Sequence, residues 1–210
     1  MISKIPTKKL EKKLFLKGNN FVIGVDEVGM GCLAGPVVVC AVMLGKAFYL
    51  KKYPKLAGLK ESKLMSSRQR ELFLKELMKI KNFKYTISYS YPKTIDRVNI
   101  YQTARKAMVR SISRLAPKKG KAVVLVDGKT KISGIDFDQM AIIKGDQKIF
   151  TIACASIIAK VFRDRMMARY AKKFPGYGFE IHKGYGTKFH YAQLTSLGPS
   201  PIHRRSFRLG

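Results

Sequence analysis

Short apolar runs alternate with helical periodicities along the chain, and together they predict one α/β unit. Uninterrupted apolar runs at 21–25, 37–42 and 122–126, with a shorter one at 140–143, predict buried strands. Residues 84–91 alternate apolar and polar side chains, which is the pattern of a half-exposed strand. With the helical segments, the order along the chain is β-β-helix-β-helix-β-β-helix, which predicts a single α/β domain with a mixed sheet.

Three longer helices are predicted between and after the strands. Ser66 and Gln69 have the spacing of a capping box, and apolar residues recur at helical intervals after them. Asp96 is the expected N-cap of a second helix, which Pro117 ends. A third helix is expected over 153–173, and the chain beyond it is rich in glycine, proline, aromatic and basic residues.

The charge balance points to an anionic partner. The chain of 210 residues carries 42 Lys and Arg against 13 Asp and Glu, a formal net charge of +29, with 46% apolar residues. Such a surface attracts polyanions and binds phosphate backbones without reading their sequence. Three cysteines without C-x-x-C spacing predict neither a zinc ribbon nor a disulfide framework, which favours a reducing cytoplasm.

One uncharged stretch, 28–45, is long enough to test as a membrane span. Gly29, Gly35 and Pro36 interrupt its first half, and its second half has the pattern of a buried strand. The N-terminus has no apolar signal core and is expected to be a solvated basic arm over 1–19. We therefore expect a cytoplasmic protein with no membrane association.

Eight of the 13 acidic residues fall into two groups. Those of the first group lie among lysines or on helix faces, where we expect ordinary solvated pairs: Glu11, Glu71, Glu76 and Glu180. Those of the second group follow predicted strands or the short turn after one: Asp26, Glu27, Asp127 and Asp146. Each alone is explained as a turn residue, since Asp is common in turns.

Taken together, the second group indicates a metal site. Ends of neighbouring strands in open α/β folds are where sites form, so these four carboxylates are expected to converge. Two like charges about 4 Å apart repel by about 4 kcal/mol at an effective dielectric near 20. A shared cation relieves that repulsion, and oxygen ligands without His or Cys suit Mg²⁺ or Mn²⁺. On a phosphate-attracting surface, such a site indicates phosphodiester chemistry.

An ordered set of motifs over roughly residues 20 to 208 resembles bacterial ribonuclease HII. The first is Gly-Val-Asp-Glu-Val-Gly-Met-Gly-Cys-Leu-Ala-Gly-Pro at 24–36. The others lie at 59–64, 95–102, 126–128, 144–146, 155–164, 182–187 and 198–207. A single Asp-Glu-x-Gly is a weak signal, whereas this ordered set is very specific.

The resemblance implies a ribonuclease H-like fold, a mixed five-stranded sheet flanked by helices, with a basic C-terminal helical extension. The core is expected over about 20–165 and a substrate-binding extension over about 166–210. The implied activity is metal-dependent cleavage of the RNA strand of RNA–DNA hybrids. It also includes cleavage on the 5′ side of ribonucleotides embedded in duplex DNA, leaving 3′-hydroxyl and 5′-phosphate ends. A monomer is expected.

The resemblance also assigns site residues. The four catalytic, metal-binding carboxylates of the family fall on Asp26, Glu27, Asp127 and Asp146, which the charge argument also selects. With two ions, the first three are expected to hold one, and Asp26 with Asp146 the other. The implied substrate-binding residues are Gly29, Met30, Gly31, Lys63, Asn99 and Tyr185. The tyrosine is expected to stack at the junction between RNA and DNA.

Two positions depart from the family pattern. Met30 stands where the Gly-Arg-Gly loop of the family has arginine, which removes a cation able to hold a phosphate. Glu61 stands where aspartate is usual. Asp164 matches a family position but lies in the long helix beside arginines, and we interpret it as structural. The three histidines have no ligand spacing and are expected to be structural or to face phosphates.

Two other functions, and one related nuclease, fit the sequence less well. A non-catalytic, basic RNA-binding protein accounts equally well for the charge, but not for carboxylates gathered at strand ends. A DNA recombinase of the same metal-dependent superfamily leaves the glycine loop and Tyr185 without a purpose. The related ribonuclease HIII carries a long N-terminal domain, whereas about 20 residues precede the first strand here.

Overall fold

A central mixed sheet organises the molecule, seen in a computed structural model that describes residues 5–117 and 119–209. Its strands are β1 (Phe21–Val28), β2 (Val37–Gly45), β3 (Lys84–Ser90), β4 (Ala122–Asp127) and β5 (Asp138–Ile142). Their order is β3-β2-β1-β4-β5. The β1 strand is antiparallel to β2 and parallel to β4, and β5 is parallel to β4. The predicted five-stranded mixed sheet is confirmed.

Helices cover both faces of this sheet. They are α1 (Lys9–Leu16), α2 (Lys46–Tyr49), α3 (Ser67–Met78), α4 (Pro92–Val98), α5 (Ile100–Leu115), α6 (Gly145–Lys148), α7 (Phe150–Lys173), α8 (Phe179–His182) and α9 (Lys188–Leu197). Two 3₁₀ turns lie at Pro54–Leu56 and Ser62–Leu64. The α7 helix packs on β1 and β2 from one side, and α5 packs on β2 and β3 from the other. No helix in the described part of the chain is long and apolar enough to span a bilayer.

Close packing of α7 on β1 depends on Gly24. A Cβ there would lie 2.5 Å from the carbonyl carbon of Thr151 and 2.6 Å from the amide nitrogen of Ile152. Because real Cβ atoms do not approach backbone so closely, only glycine lets the start of α7 rest on the strand. This contact sets α7 against the part of β1 that carries Asp26.

The N-terminal segment is packed on the domain, contrary to the expectation of a solvated arm. Leu14 and Phe15 of α1 are buried in the core. Glu11, expected to be a solvated charge, is fully buried, and its Oε1 accepts hydrogen bonds from the Thr151 amide at 3.1 Å and hydroxyl at 3.0 Å. Burial raises the pKa of the Glu11 carboxyl above its usual value.

Two element boundaries differ from the sequence predictions in ways that matter for the site. The first strand continues through Val28, so Asp26 and Glu27 lie within it and not after it. The helix expected to start at Asp96 is two helices, α4 and α5, and the second is capped by Asn99, whose Oδ1 accepts from the Gln102 amide. Asp96 lies inside α4. The capping box at Ser66 is confirmed.

The chain beyond α7 folds back onto the segment between β1 and β2. Cys32 forms an isolated bridge with Tyr185, and Ala34 forms one with His203. The Gly35 amide donates to the Ile202 carbonyl at 2.8 Å. The C-terminal segments are thereby joined to the loop that follows Asp26 and Glu27.

Candidate active site

Three parallel strands deliver acidic side chains to one edge of the sheet. Val25 of β1 pairs with Val126 of β4, so Asp26 and Asp127 follow at the same level. The next strand, β5, pairs Ile142 with Asp127, and the chain then turns through Lys144, which has a left-handed backbone (φ 55°). This turn starts α6, which carries Asp146 at its second position. Convergence at the carboxyl ends of parallel strands is the geometry expected of an α/β site.

All four predicted carboxylates line one cavity of about 610 Å³. The other residues that line it are Val28, Gly29, Met30, Gly31, Ser62, Lys63, Arg70, Ser156, Lys160 and Tyr185. Five of the six predicted substrate-binding residues are in this set. The cavity therefore has acids on the strand side and cations on the side of α3, α7 and the Ser62–Leu64 turn.

The acids perturb one another strongly. Burial, with the charges of Glu27 and Asp127, raises the pKa of Asp26 well above its usual value. Burial and the charge of Asp127 raise the pKa of Glu27 to about 7. The pKa of Asp146 is also raised, first by burial and then by Asp127. Such mutual repulsion in a cleft marks a site that a cation would stabilise.

The carboxylates share a cavity without forming a closed ligand cage. Within residues 5–117 and 119–209, no group of three His, Cys, Asp or Glu side chains is arranged to hold a metal ion. Successive residues of a strand point to opposite faces, so Asp26 and Glu27 diverge. Asp26 turns toward Ser156 of α7, whereas Glu27 also lines a second cavity beside α5. Asp127 accepts a hydrogen bond from the Gly145 amide at 2.7 Å.

The glycine loop, residues 28–36, forms one wall of the cavity. Gly29 has φ +93°, and a Cβ there would run into the Arg163 side chain, so the protein itself requires glycine. Gly31 is different, because nothing lies within 4 Å of the position its Cβ would take. The space beside Gly31 opens into the cavity and leaves its backbone accessible to a ligand.

Two buried arginines brace this loop through its carbonyl groups. Arg204 donates to the carbonyls of Gly29 at 2.6 Å and Met30 at 2.9 Å. Arg163 donates from Nε to Pro36 at 2.9 Å and from Nη2 to Ala34 at 3.0 Å. Both guanidinium groups are fully buried, and burial lowers the pKa of Arg204 to about 10. The loop is therefore held from behind by rigid donors.

Met30 packs against protein instead of projecting as a free side chain. It is half-buried against Val37, Ile95 and Ala104, with Phe207 in the same cluster. Met30 lines both the main cavity and the second cavity, which Tyr101 and Arg105 of α5 also line. The position thus contributes an apolar surface where the family pattern has a cation.

Tyr185 and Lys63 flank the carboxylates. The Tyr185 ring is 38% exposed and has the Lys160 ammonium 5.7 Å from its centre. Burial raises the pKa of its hydroxyl to about 12, so the phenol stays protonated. Lys63 is exposed on the 3₁₀ turn, and its positive charge lowers the pKa of Glu27 and Asp146 against the larger effects that raise them.

Asn99 and Asp164 lie outside the cavity, whereas two residues that line it were not predicted. Asn99 does not line the cavity, since its side chain caps α5. Asp164 pairs with Lys160 at 2.8 Å and Arg70 at 3.3 Å, which agrees with a structural role. Ser156 and Lys160 line the cavity but were not predicted to do so. Their i,i+4 spacing on the long helix was a usable signal, because such residues share a helix face.

Comparisons with known proteins agree on one family. The model of the ribonuclease HII family matches residues 23–209. A ribonuclease HII of Caldicellulosiruptor bescii is 43% identical over 199 residues, which are 95% of this chain and 92% of that protein. Ribonuclease H2 from Pyrococcus horikoshii superposes with a TM-score of 0.71 at 25% identity, covering 90% of this chain and 94% of that one.

A more distant solved structure shares the fold. This is Bst-RNase HIII in complex with Mn²⁺, with a TM-score of 0.64 at 18% identity. The superposition covers 91% of this chain and 68% of that one.

Proposed function

The chain belongs to the ribonuclease HII family, and from this membership we propose that Asp26, Glu27, Asp127 and Asp146 are its catalytic carboxylates. It is a ribonuclease H, an endoribonuclease acting on RNA–DNA hybrids. We further propose cleavage on the 5′ side of ribonucleotides embedded in duplex DNA, leaving 3′-hydroxyl and 5′-phosphate ends. The observation that carries the proposal is the single cavity lined by all four acids, the glycine loop and Tyr185.

The reaction depends on a divalent metal ion, as in the family as a whole. We propose Mg²⁺ or Mn²⁺, because the donor set consists of carboxylate oxygens, and burial together with neighbouring negative charge raises the pKa values of Asp26, Glu27 and Asp146. When bound, such an ion activates water and stabilises negative charge on the scissile phosphate and the departing oxygen. Glu27 and Asp127 are only half-buried and line the cavity, so a cation there can reach their carboxylates.

The remaining residues of the cavity have roles in binding the substrate. The accessible backbone at Gly31 lets a ribose 2′-hydroxyl approach the loop, with Gly29 and Met30 fixed behind it by Arg204. Lys63 stands on the cation side of the cavity, where a phosphate of the scissile strand is attracted. Tyr185 offers a partly exposed ring on which the sugar or base at the junction stacks.

Several further assignments follow the same proposal. Contact of Asn99 with the substrate stays a prediction, as does the division into a core over about 20–165 and a substrate-binding extension over about 166–210. We propose a cytoplasmic monomer, and the unpaired, buried Cys32, Cys40 and Cys154 fit a reducing compartment. Family membership favours the nuclease over a non-catalytic RNA-binding protein and over a recombinase.

A DNA duplex with one ribonucleotide tests the chemistry and the carboxylates together. The wild type is expected to cut at the 5′ side of the ribonucleotide with Mg²⁺ or Mn²⁺, and not after chelation. Asp26→Asn should lower the cleavage rate by about a thousandfold or more, because it removes a charged oxygen ligand at the centre of the four acids. Binding of an RNA–DNA hybrid, followed by fluorescence anisotropy, should survive the substitution.

Asp136→Asn is the matched control, since it removes one negative charge at a residue that does not line the cavity. It should cleave like the wild type. Full activity in Asp26→Asn would remove Asp26 from the catalytic centre, and wild-type cleavage elsewhere than 5′ to the ribonucleotide would overturn the proposed specificity.

A further inference from the structure

The three histidines of the chain meet in one buried cluster. His182 lies in α8, His190 in α9, and His203 in the segment after α9. They are 7%, 0% and 3% exposed, and none lines the catalytic cavity. The rings of His182 and His190 stack with centres 4.1 Å apart, and the Nε2 atoms of His190 and His203 are 3.0 Å apart.

The hydrogen-bond partners determine where each proton sits. The Ser200 amide donates to His203 Nδ1 at 2.8 Å, so a neutral His203 carries its proton on Nε2. The Tyr185 carbonyl can only accept, so His190 Nδ1, 2.9 Å away, must donate to it. His190 Nε2 is then the acceptor for His203. The result is a one-directional relay from Ser200 through His203 and His190 to the Tyr185 backbone.

The relay ends on the residue that faces the substrate. The Tyr185 carbonyl accepts from His190 and from the Thr187 amide, while the Tyr185 ring lines the cavity. His182 supports the preceding residue, because its Nδ1 accepts from the Gly184 amide at 3.1 Å. The Tyr185 backbone is thus held by imidazole groups that the substrate cannot reach.

The other end of the relay is tied to the glycine loop. His203 bridges Ala34, and the Arg204 amide donates to the Leu33 carbonyl at 2.8 Å. The adjacent Arg204 side chain holds the Met30 carbonyl. One short segment, 200–204, therefore contacts the glycine loop directly and the Tyr185 backbone through His190.

We propose that His190 and His203 are positioning residues that fix Tyr185 relative to the glycine loop and so set selectivity for the RNA–DNA junction. The inference rests on the proposed junction role of Tyr185. It predicts that junction cleavage depends on the bond from His190 to Tyr185 and not simply on filling the space of the ring.

Two substitutions at His190 separate the two ends of the relay. In His190→Asn, the side-chain amide occupies the place of Nδ1 and continues to donate to the Tyr185 carbonyl, but the bond from His203 is lost. In His190→Gln, the amide oxygen reaches the place of Nε2 and accepts from His203, but the bond to Tyr185 is lost. A purely structural role predicts comparable effects of the two variants on catalysis.

The measurement compares KM and kcat on a one-ribonucleotide duplex and on a continuous RNA–DNA hybrid. His190→Gln should raise KM for the one-ribonucleotide duplex about tenfold, as for one lost hydrogen bond, while KM for the hybrid changes less than about threefold. His190→Asn should stay within about threefold of the wild type on both substrates. Ile202→Val, a buried neighbour outside the relay, is the control for general destabilisation, and thermal unfolding of all variants is followed in parallel.

Equal KM values for the two His190 variants on the one-ribonucleotide duplex would overturn the relay. Tyr185→Ala distinguishes this failure from failure of the proposed function. If Tyr185→Ala impairs junction cleavage and His190→Gln does not, the relay alone is wrong. If Tyr185→Ala leaves junction cleavage unchanged, the junction role of Tyr185 is wrong and the relay's effect on selectivity falls with it.

A spectroscopic measurement checks the direction of the relay independently of cleavage. Because the chain has only three histidines, their ring nitrogens are separable by ¹⁵N NMR of the full-length protein. At neutral pH, His190 should carry its proton on Nδ1 and His203 on Nε2. The opposite tautomer at either ring would overturn the assignment.

Discussion

Two glycines of the same loop are glycine for different reasons. Gly29 has a left-handed backbone with Arg163 directly behind it, so the fold excludes any other residue. Gly31 has no such constraint, and the space beside it faces the catalytic cavity. Between them, Met30 directs its side chain into an apolar cluster while Arg204 holds its carbonyl. The loop therefore presents backbone to the cavity and carries no cation of its own.

Restoring the family's arginine should strengthen substrate binding. Met30→Arg adds a cation whose aliphatic stem can follow the apolar wall while its guanidinium reaches the cavity edge. We expect the dissociation constant for a one-ribonucleotide duplex to fall about fivefold, the effect of one exposed charge-assisted contact of about 1 kcal/mol. Anisotropy titration with inactive, chelated protein measures it.

The control for added charge is Met140→Arg, an exposed methionine on β5 that does not line the catalytic cavity. It should change affinity less than Met30→Arg does. If Met30→Arg binds no more tightly than the wild type, the loop backbone alone carries recognition at this position.

At the scale of elements, α7 connects the N-terminal segment to the site. The first turn of α7 packs on Gly24, and Glu11, far away in the sequence, accepts a hydrogen bond from it. The middle of α7 places Ser156 and Lys160 in the lining of the cavity. Further along, Arg163 holds the carbonyl groups of the glycine loop. The Glu11 carboxylate lies beside the Thr151 amide at the start of α7, where the helix dipole favours negative charge. The N-terminal helix is thus part of the support of the cavity that the four carboxylates line.

Loss of this cap should destabilise the protein without changing the cleavage site on the substrate. Glu11→Ala leaves the buried Thr151 amide without its acceptor and removes one partner of the Thr151 hydroxyl, so the free energy of unfolding should fall by about 2–3 kcal/mol. Urea unfolding followed by circular dichroism measures it. Glu180→Ala, which removes an exposed acid of α8, should have little effect. Equal stability of Glu11→Ala and the wild type would contradict the capping role.

The histidine cluster adds a pH dependence to the C-terminal elements. Burial and the neighbouring His190 lower the pKa of His203 from 6.5 to about 4. Between these values the unfolded chain binds more protons than the folded one, so this group's contribution to stability is complete above pH 6.5 and is lost as the pH falls toward 4.

His203→Gln removes that titration. Glu11, Asp26 and Glu27 have raised pKa values, so they make the free energy of unfolding change with pH in the opposite direction. The informative quantity is therefore the difference in unfolding free energy between the wild type and the variant. That difference in unfolding free energy should shrink as the pH is lowered from 7 to 4, by up to about 1.4 kcal/mol per pH unit at its steepest. A difference independent of pH would mean that His203 is not held neutral by the fold.

At the scale of the whole molecule, the excess of positive charge and the acidic cavity have different roles. The net charge of +29 attracts the nucleic-acid backbone, while four of the 13 acids are concentrated in one cavity. The two ends of the strands in the sheet lie on opposite sides of the molecule. The carboxyl ends of β1, β4 and β5 carry the site, and the start of β1 lies at the opposite end, where Phe21 pairs with Gly45.

Binding of an RNA–DNA hybrid should depend steeply on salt. If about six phosphates are neutralised, the plot of log affinity against log salt concentration should have a slope near −5. Replacing a lysine that contacts a phosphate makes the slope shallower by about one. We expect this for Lys173→Gln in the C-terminal region. Lys46→Gln, next to Gly45 at the far end of the sheet, is the matched control.

A flat salt dependence in the wild type would contradict the role assigned to the basic surface. Equal slopes for the two lysine variants would contradict the assignment of the C-terminal region to the substrate backbone.

Local sequence patterns predicted much of the fold. Apolar runs predicted four of the strands and an alternating pattern predicted the fifth, β3. The spacing of Ser66 and Gln69 predicted a helix start, and the excess of basic residues indicated a nucleic-acid partner. These features are predictable because periodicity, capping and charge act over a few residues or through the sum of the composition. The four acids were also selected by position alone, since residues at ends of neighbouring parallel strands meet whatever the details of packing.

The contacts between segments that are distant in the sequence are seen only in the tertiary structure. Glu11 caps a helix 140 residues further along the chain, two arginines hold the glycine loop from behind, and three histidines without ligand spacing form a relay to Tyr185. None of these contacts has a local signature. Each results from buried polar groups having to find partners inside the fold, wherever along the chain those partners lie.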